Sequence, residues 1–130
     1  MPKDYAKKKI SGKRTLVTLV RVRIVKVGEV CVFDNCPKKV TRGQTLAFLN
    51  ETNWIVRVTF LGPGVGELDK QSLKLAAGQM GEVKVSKDKI GTGLRKKALT
   101  LKLEWSRNSG ATWETGTGGG PDMDIDDPRP

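Results

Sequence analysis

The chain has no histidine among its 130 residues, and this absence removes more chemistry than any other feature adds. Without imidazole there is no Ser-His or Cys-His pair to activate a nucleophile near neutral pH, and covalent catalysis would need Lys or a carboxylate as its base. No G-x-S-x-G elbow, P-loop or dinucleotide fingerprint is present, and Gly62, Gly64 and Gly66 alternate at a spacing that fits none of them. Cysteine is scarce too: Cys31 and Cys36 are only half of what a structural zinc site needs. Aromatic residues make up 5% of the chain, which argues against the exposed stacking platforms of single-strand nucleic-acid binders. Long apolar runs are missing as well. The stretch that starts at Leu16 is interrupted at Thr18 and closed by Arg21 and Arg23, so it makes neither the core of a secretory signal nor the ~20 apolar residues of a membrane span. These absences predict a non-enzymatic, soluble, cytoplasmic protein without a cofactor, with a mature secreted form as the alternative.

What the chain does have is positive charge. Lys and Arg number 24 against 14 Asp and Glu, giving a net charge of +10. Residues 1–27 hold nine basic side chains and one acid, and therefore supply +8 of that excess. Lys7, Lys8, Lys9, Lys13 and Arg14 cluster in the first part of this segment, and Arg21 and Arg23 continue the charge into the first apolar stretch. These seven residues are the candidate contacts for an anionic partner, because such a charge balance favours association with polyanions. Residues 1–13 combine high charge with little apolar surface and read as a flexible basic arm. A solubilising tail explains the same composition. Near the other end, Gly116 to Gly120 is glycine-rich and the last residues carry two prolines, which predicts irregular backbone and a tail over 127–130.

Between these segments the apolar residues recur with period two, the mark of strands with one face in a core and one in water. Val20, Val22 and Ile24 alternate with Arg21 and Arg23, and Leu46 and Phe48 with Thr45 and Ala47. Trp54, Val56, Val58 and Phe60 alternate with Arg57 and Thr59, while Val83 and Val85 sit among Glu82, Lys84 and Ser86. Leu99, Leu101, Leu103 and Trp105 are separated by Thr100, Lys102 and Glu104, and Met123 and Ile125 are flanked by aspartates. Gly and Pro cluster between the runs, at Arg42-Gly43, Gly62-Pro63-Gly64, Ala77-Gly78, Gly91-Thr92-Gly93 and Asn108-Ser109-Gly110, where the chain must reverse. The pattern predicts an all-β sandwich or barrel, with helix limited to a turn or two near Glu67 to Gln71.

The run Pro37, Val40, Gly43, Leu46, Phe48, Asn50 resembles the entry into the central hairpin of cupredoxins, and the similarity continues through Thr52 to Val58 and Phe60. Leu99 to Trp105 is similar to the strand that leads into the family's copper loop, and Gly118-Gly119-Gly120-Pro121 with Met123 and Ile125 looks like its closing strand. The resemblance spans about Val20 to Asp126. It implies a Greek-key β-sandwich over residues 14–126, preceded by the arm.

The same resemblance locates what has been lost. A type 1 copper centre uses two imidazoles and a thiolate with a weak axial ligand. The position of the first imidazole is Val56 and that of the thiolate is Trp105, and Met123 reads as an apolar strand residue. The expectation is therefore a metal-free, non-catalytic binding or assembly module whose basic arm and face engage an acidic partner. A sequence-nonspecific nucleic-acid binder is the alternative. A second alternative is a copper-handling or redox protein that uses Cys31 and Cys36, with a methionine such as Met80 as a further soft ligand. Two free thiols are expected in a reducing compartment, and a disulfide across the short interval in an oxidising one. Asp122, Asp124, Asp126 and Asp127 read as a solvated acidic edge, with a hard-cation site as the other option.

Overall fold

The computed structural model describes residues 19–86, 96–116 and 121–126. Lys7, Lys8, Lys9, Lys13 and Arg14 lie outside the described residues, as do the arm, the start of the expected domain and the tail.

Among the described residues ten strands follow one another: β1 (Leu19–Val27), β2 (Val30–Asp34), β3 (Lys39–Thr41), β4 (Thr45–Asn50), β5 (Ile55–Leu61), β6 (Ser72–Leu75), β7 (Met80–Lys84), β8 (Lys96–Ser106), β9 (Glu114–Thr115) and β10 (Asp122–Asp126). They form two sheets, one ordered β2-β1-β4-β7 and the other β3-β10-β8-β5-β6, with β9 paired to β8. The fold is thus all-β and two-layered. β1 runs parallel to β4, and β3 parallel to β10; the remaining pairs are antiparallel.

The alternation read from the sequence is what closes the two layers on each other. Val22, Ile24, Leu46, Phe48 and Val83 turn inward from the first sheet and meet Val56, Val58, Phe60, Leu99, Leu101 and Trp105 of the second, all of them buried. Phe48 and Phe60 touch across the layers with ring centroids 5.7 Å apart, and Phe33 meets Phe48 edge-on at 6.0 Å. Such tilted and edge-on pairs suit the ring quadrupole.

Helical structure differs in place from the expectation. Its only instance among the described residues is a 3-10 turn over Pro63–Glu67, so Glu67 ends it rather than begins it. Pro63 sets φ for the first turn, and Leu68 is already extended and bridges to Val85. The glycines before and within the turn allow close approach to β8: a Cβ on Gly62, whose φ is 102°, would stand 3.1 Å from the Ala98 carbonyl oxygen, and one on Gly64 would stand 3.0 Å from it.

Register gives the sandwich two chemically distinct ends. β1 and β4 finish at one of them, where β5 begins, β6 stops and β8 terminates in Ser106. This end carries the turn at Gly28 and Glu29, the loop 51–54, the turn 76–79 and the segment 107–113. The opposite end holds Leu19, where β1 starts, the turn 42–44, the 3-10 turn, Ser86, Lys96 and Asp126. No helix among the described residues is long and apolar enough to cross a membrane.

Candidate functional site

Val56 and Trp105 are direct cross-strand partners in the β5–β8 ladder, with relative exposures of 0% and 2%. Residues opposite one another in an antiparallel pair have Cβ atoms about 5 Å apart on the same face, so the two side chains share one patch of core. Neither supplies a donor that suits copper: an isopropyl group has none, and the indole N–H only donates. Trp105 Nε1 is buried without a hydrogen-bond partner among the described residues. Met123 is buried opposite Leu99, six residues down β8 from Trp105, a separation of roughly 20 Å at strand rise. The residues at the positions where the resemblance expects copper ligands therefore do not fit the metal, and Met123 belongs to a different part of the core.

The sequence placed Asn50 in the family pattern without a role. The structure gives it one. Its side chain is fully buried, and Nδ2 donates to the carbonyls of Trp54 at 2.7 Å, Ala76 at 3.0 Å and Leu75 at 3.1 Å. Its Oδ1 accepts from Thr52 N at 2.9 Å and from Thr52 Oγ1 at 2.7 Å. Asn50 N donates to Gln79 O and Gly78 N donates to Asn50 O, so main chain and side chain together join loop 51–54 to the turn 76–79. The signal available beforehand was an isolated amide at the end of an apolar run, followed by Thr at i+2, a pairing typical of Asx turns.

Trp54, expected on the inward face with Val56, lies just before β5 and is only half-buried. Its ring packs against the margin of the core at the sandwich end. There Lys26 Nζ stands 4.4 Å from the ring centroid and Arg107 Cζ 4.6 Å. Arg107 is itself fully engaged: Nη1 bonds Glu29 Oε1 at 3.0 Å, Nη2 bonds Glu29 O at 2.9 Å, and Nε pairs with Glu114 at 2.8 Å. Trp113, half-buried, covers Arg57, whose guanidinium carbon is 4.2 Å from its ring centroid. These tryptophans thus serve as lids on cations within the molecule.

Cys31 and Cys36 are both free thiols. Cys31 points inward from β2, and burial pushes its pKa up to about 11, with Lys26 and the Thr52 hydroxyl pulling weakly the other way. Cys36 follows β2, and burial pushes it to about 11 as well. Raised thiols are poor nucleophiles and poor metal ligands at neutral pH. Met80, the soft ligand considered beside them, lies exposed on the outer face of the same sheet, away from the inward-facing Cys31. Among the described residues no group of three or more His, Cys, Asp or Glu is placed to hold a metal ion.

The basic face divides. Arg21 and Arg23 project from the outer face of the first sheet, whereas Arg57 and Lys102 project from the outer face of the second. Arg23 is neutralised by Asp34 at 2.5 Å and by both oxygens of Glu51, at 2.7 and 2.8 Å. Accepting those hydrogen bonds lowers the Glu51 pKa and raises that of Arg23. Glu104 takes up Arg57 at 2.9 Å and Lys102 at 3.9 Å. Of the candidate anion contacts within the described residues, Arg21 alone keeps an exposed guanidinium without an ion pair. On β10, Asp122 accepts from Thr100 Oγ1 at 2.8 Å and Asp126 pairs with Lys39 at 3.8 Å; the strand is not the acidic edge expected, because it is paired on both sides, with β3 and β8.

Comparison of the chain with protein-family models and with curated proteins gives no match.

Proposed function

We propose that the chain is a cupredoxin-like Greek-key sandwich that has given up type 1 copper and serves as a non-catalytic binding or assembly module, its basic residues engaging an acidic partner. The observation that carries this reading is the register that sets Val56 against Trp105 inside the core. At the two positions where the resemblance calls for imidazole and thiolate, the chain invests in packing.

The partner class follows from charge. The described residues hold 14 Lys and Arg against 11 Asp and Glu, a net of +3, so +7 of the total +10 belongs to segments outside them. A nearly balanced set of described residues, with most of the excess positive charge carried by the remaining segments, is suited to long-range attraction of an anion more than to a tight charged pocket.

The test is titration of the full chain with fluorescent poly-L-glutamate at 50 mM and 300 mM NaCl. Binding at low salt that weakens at least tenfold at high salt is expected, with a comparable loss when Lys7, Lys8, Lys9, Lys13 and Arg14 are all replaced by Ala. Absence of binding at 50 mM salt removes the acidic-partner reading.

A further inference from the structure

An unpaired strand at the edge of a sheet offers its N–H and C=O groups to any other chain, and three of the outer strands here are guarded against this. β7 is covered by the segment that precedes β6: Lys84 N donates to Asp69 Oδ1 at 2.8 Å, Asp69 N donates to Lys84 O at 3.1 Å, and Lys70 Nζ donates to Glu82 O at 2.7 Å. β3 has three residues and its Thr41 N donates to Gln44 Oε1 at 2.7 Å, while β6 has four residues. Each of these strands also carries an exposed lysine, Lys84, Lys39 and Lys74, a charge that discourages a further strand. β2 has none of these devices. Its sequence VCVFD contains neither Lys nor Pro, and no described residue pairs with the side turned away from β1.

The hairpin fixes what that open side presents. Gly28, at φ 62°, and Glu29 join β1 to β2 in a two-residue turn, so the flanking Val27 and Val30 exchange hydrogen bonds, as do Val25 with Val32 and Arg23 with Asp34. The main-chain groups of Cys31 and Phe33 therefore point away from β1. On the outer face of the sheet the same hairpin carries Val25, Val27, Val30 and Val32, the last three of them 60%, 40% and 36% exposed. They are three of the five large apolar side chains that stand exposed among the described residues, so the patch is not incidental scatter. Arg23 borders it, paired with Asp34 and Glu51, which leaves the patch apolar at its centre and charge-balanced at its rim.

We propose that β2 pairs with β2 of a second copy of this chain, antiparallel about a two-fold axis at Val32, so that two four-stranded sheets join into one of eight strands. This goes beyond the acidic-partner reading and does not depend on it. Two observations select a second copy. The first is register: with the axis at Val32, Cys31 lies opposite Phe33 of the partner subunit, and all the outward main-chain groups of both residues are used. An axis at Cys31 would call on the Glu29 carbonyl, which Arg107 Nη2 already holds at 2.9 Å, and an axis at Phe33 would call on Asn35, whose φ of 63° is not that of a strand. The second is the match of side chains. Val25 and Val32 of each copy then form an unbroken row of valines across the four central strands, and the Arg23–Asp34 pairs close it at both ends without bringing like charges together. A five-residue edge buries little surface, so the association is weak, and the +10 charge of each copy opposes it at long range.

The experiment is sedimentation equilibrium of the full chain from about 10 to 500 µM, at about 50 and 300 mM NaCl, a range suited to a contact of this size. A monomer–dimer equilibrium is expected that tightens with salt, the opposite of binding to a polyanion. Val32→Lys should weaken the dimer at least about tenfold by placing two like charges across the axis, while Met80→Lys, an equal charge change on an exposed apolar residue of the same sheet, should leave it within about twofold. Cross-linking reads the register. Val32→Cys should form a disulfide-linked dimer under oxidised glutathione, since residues facing one another across a non-hydrogen-bonded pair have Cα atoms about 4.5 Å apart. Val30→Cys should cross-link far less, because the two copies of residue 30 lie roughly 13 Å apart along the strands, and the parent chain is the control for its own two thiols. A parent chain that stays monomeric at every concentration and salt overturns the proposal and leaves the acidic-partner reading untouched. A dimer equally strong in Val32→Lys, or weakened as much by Met80→Lys, overturns the β2 edge, and equal cross-linking of the two cysteine variants overturns the axis at Val32.

Discussion

The side chains of Val56 and Trp105 lie opposite one another on adjacent antiparallel strands, and both are sealed from solvent. The two positions for which the sequence resemblance calls for an imidazole and a thiolate form a cross-strand contact between β5 and β8. Stability, not ligand affinity, is what substitutions here should change.

Val56→Asp should destabilise the protein by at least about 3 kcal/mol, because it places an unpaired carboxylate where no water reaches. Urea denaturation followed by intrinsic fluorescence measures it. A midpoint within error of the parent chain would show that β5 does not face the core at this position.

For Trp105 the informative comparison is between two truncations. Trp105→Ala should cost roughly 3–5 kcal/mol through lost burial and the space left behind. Trp105→Phe should cost clearly less than that, since it removes an indole N–H that has no partner while keeping an aromatic ring in place. Equal losses in thermal melts of the two variants would contradict this account of the indole nitrogen.

Replacing Asn50 by Leu keeps the volume and removes every hydrogen bond of the carboxamide. The carbonyls of Trp54, Leu75 and Ala76 and the Thr52 amide then lose their shared partner, and the loss should be on the order of 3 kcal/mol or more. Hydrogen exchange should show faster exchange in loop 51–54 and in turn 76–79 together, since the amide ties the loop to this turn and to the end of β6.

Alkaline pH should weaken the fold through its thiols. Burial raises Cys31 and Cys36 from the usual 9.0 to about 11, so between these values the unfolded chain has released protons that the native chain retains. Stability must then fall as pH rises from about 9 to 11 and be unaffected by these groups below that window. A Cys31→Ala, Cys36→Ala double variant should show a shallower decline in urea midpoint over the same range, and identical slopes would contradict the burial of both thiols.

Much of the sheet framework was readable because one side of each long strand is wet. Val22 and Ile24, Leu99 to Trp105, and Met123 and Ile125 alternate with charged or hydroxyl residues, and β1, β8 and β10 appear where that alternation predicts. The short strands were not singled out. β3 and β9 contain three and two residues, too few for any period to show, and β6 places only Leu73 and Leu75 inward. Trp54 packs against the core as the alternation suggests but stays half-buried, because the turn that Asn50 and Thr52 impose leaves it just before β5. The site positions Val56 and Trp105 were legible as a residue pattern, while their pairing came from register between strands about fifty residues apart. The division of Arg21 and Arg23 from Arg57 and Lys102 was invisible for the same reason: the order of strands within sheets decides which charges share a surface.

Among the described residues, β1 starts at Leu19 and β10 ends at Asp126 on the same end of the sandwich, with Thr41 and Thr45 between them in the adjoining strands. A circular permutant that links these two points and opens the backbone within the turn 76–79 would cut none of the strand ladders among the described residues. An insertion into a host protein through the same two points would likewise leave the tryptophan-bearing end facing outward.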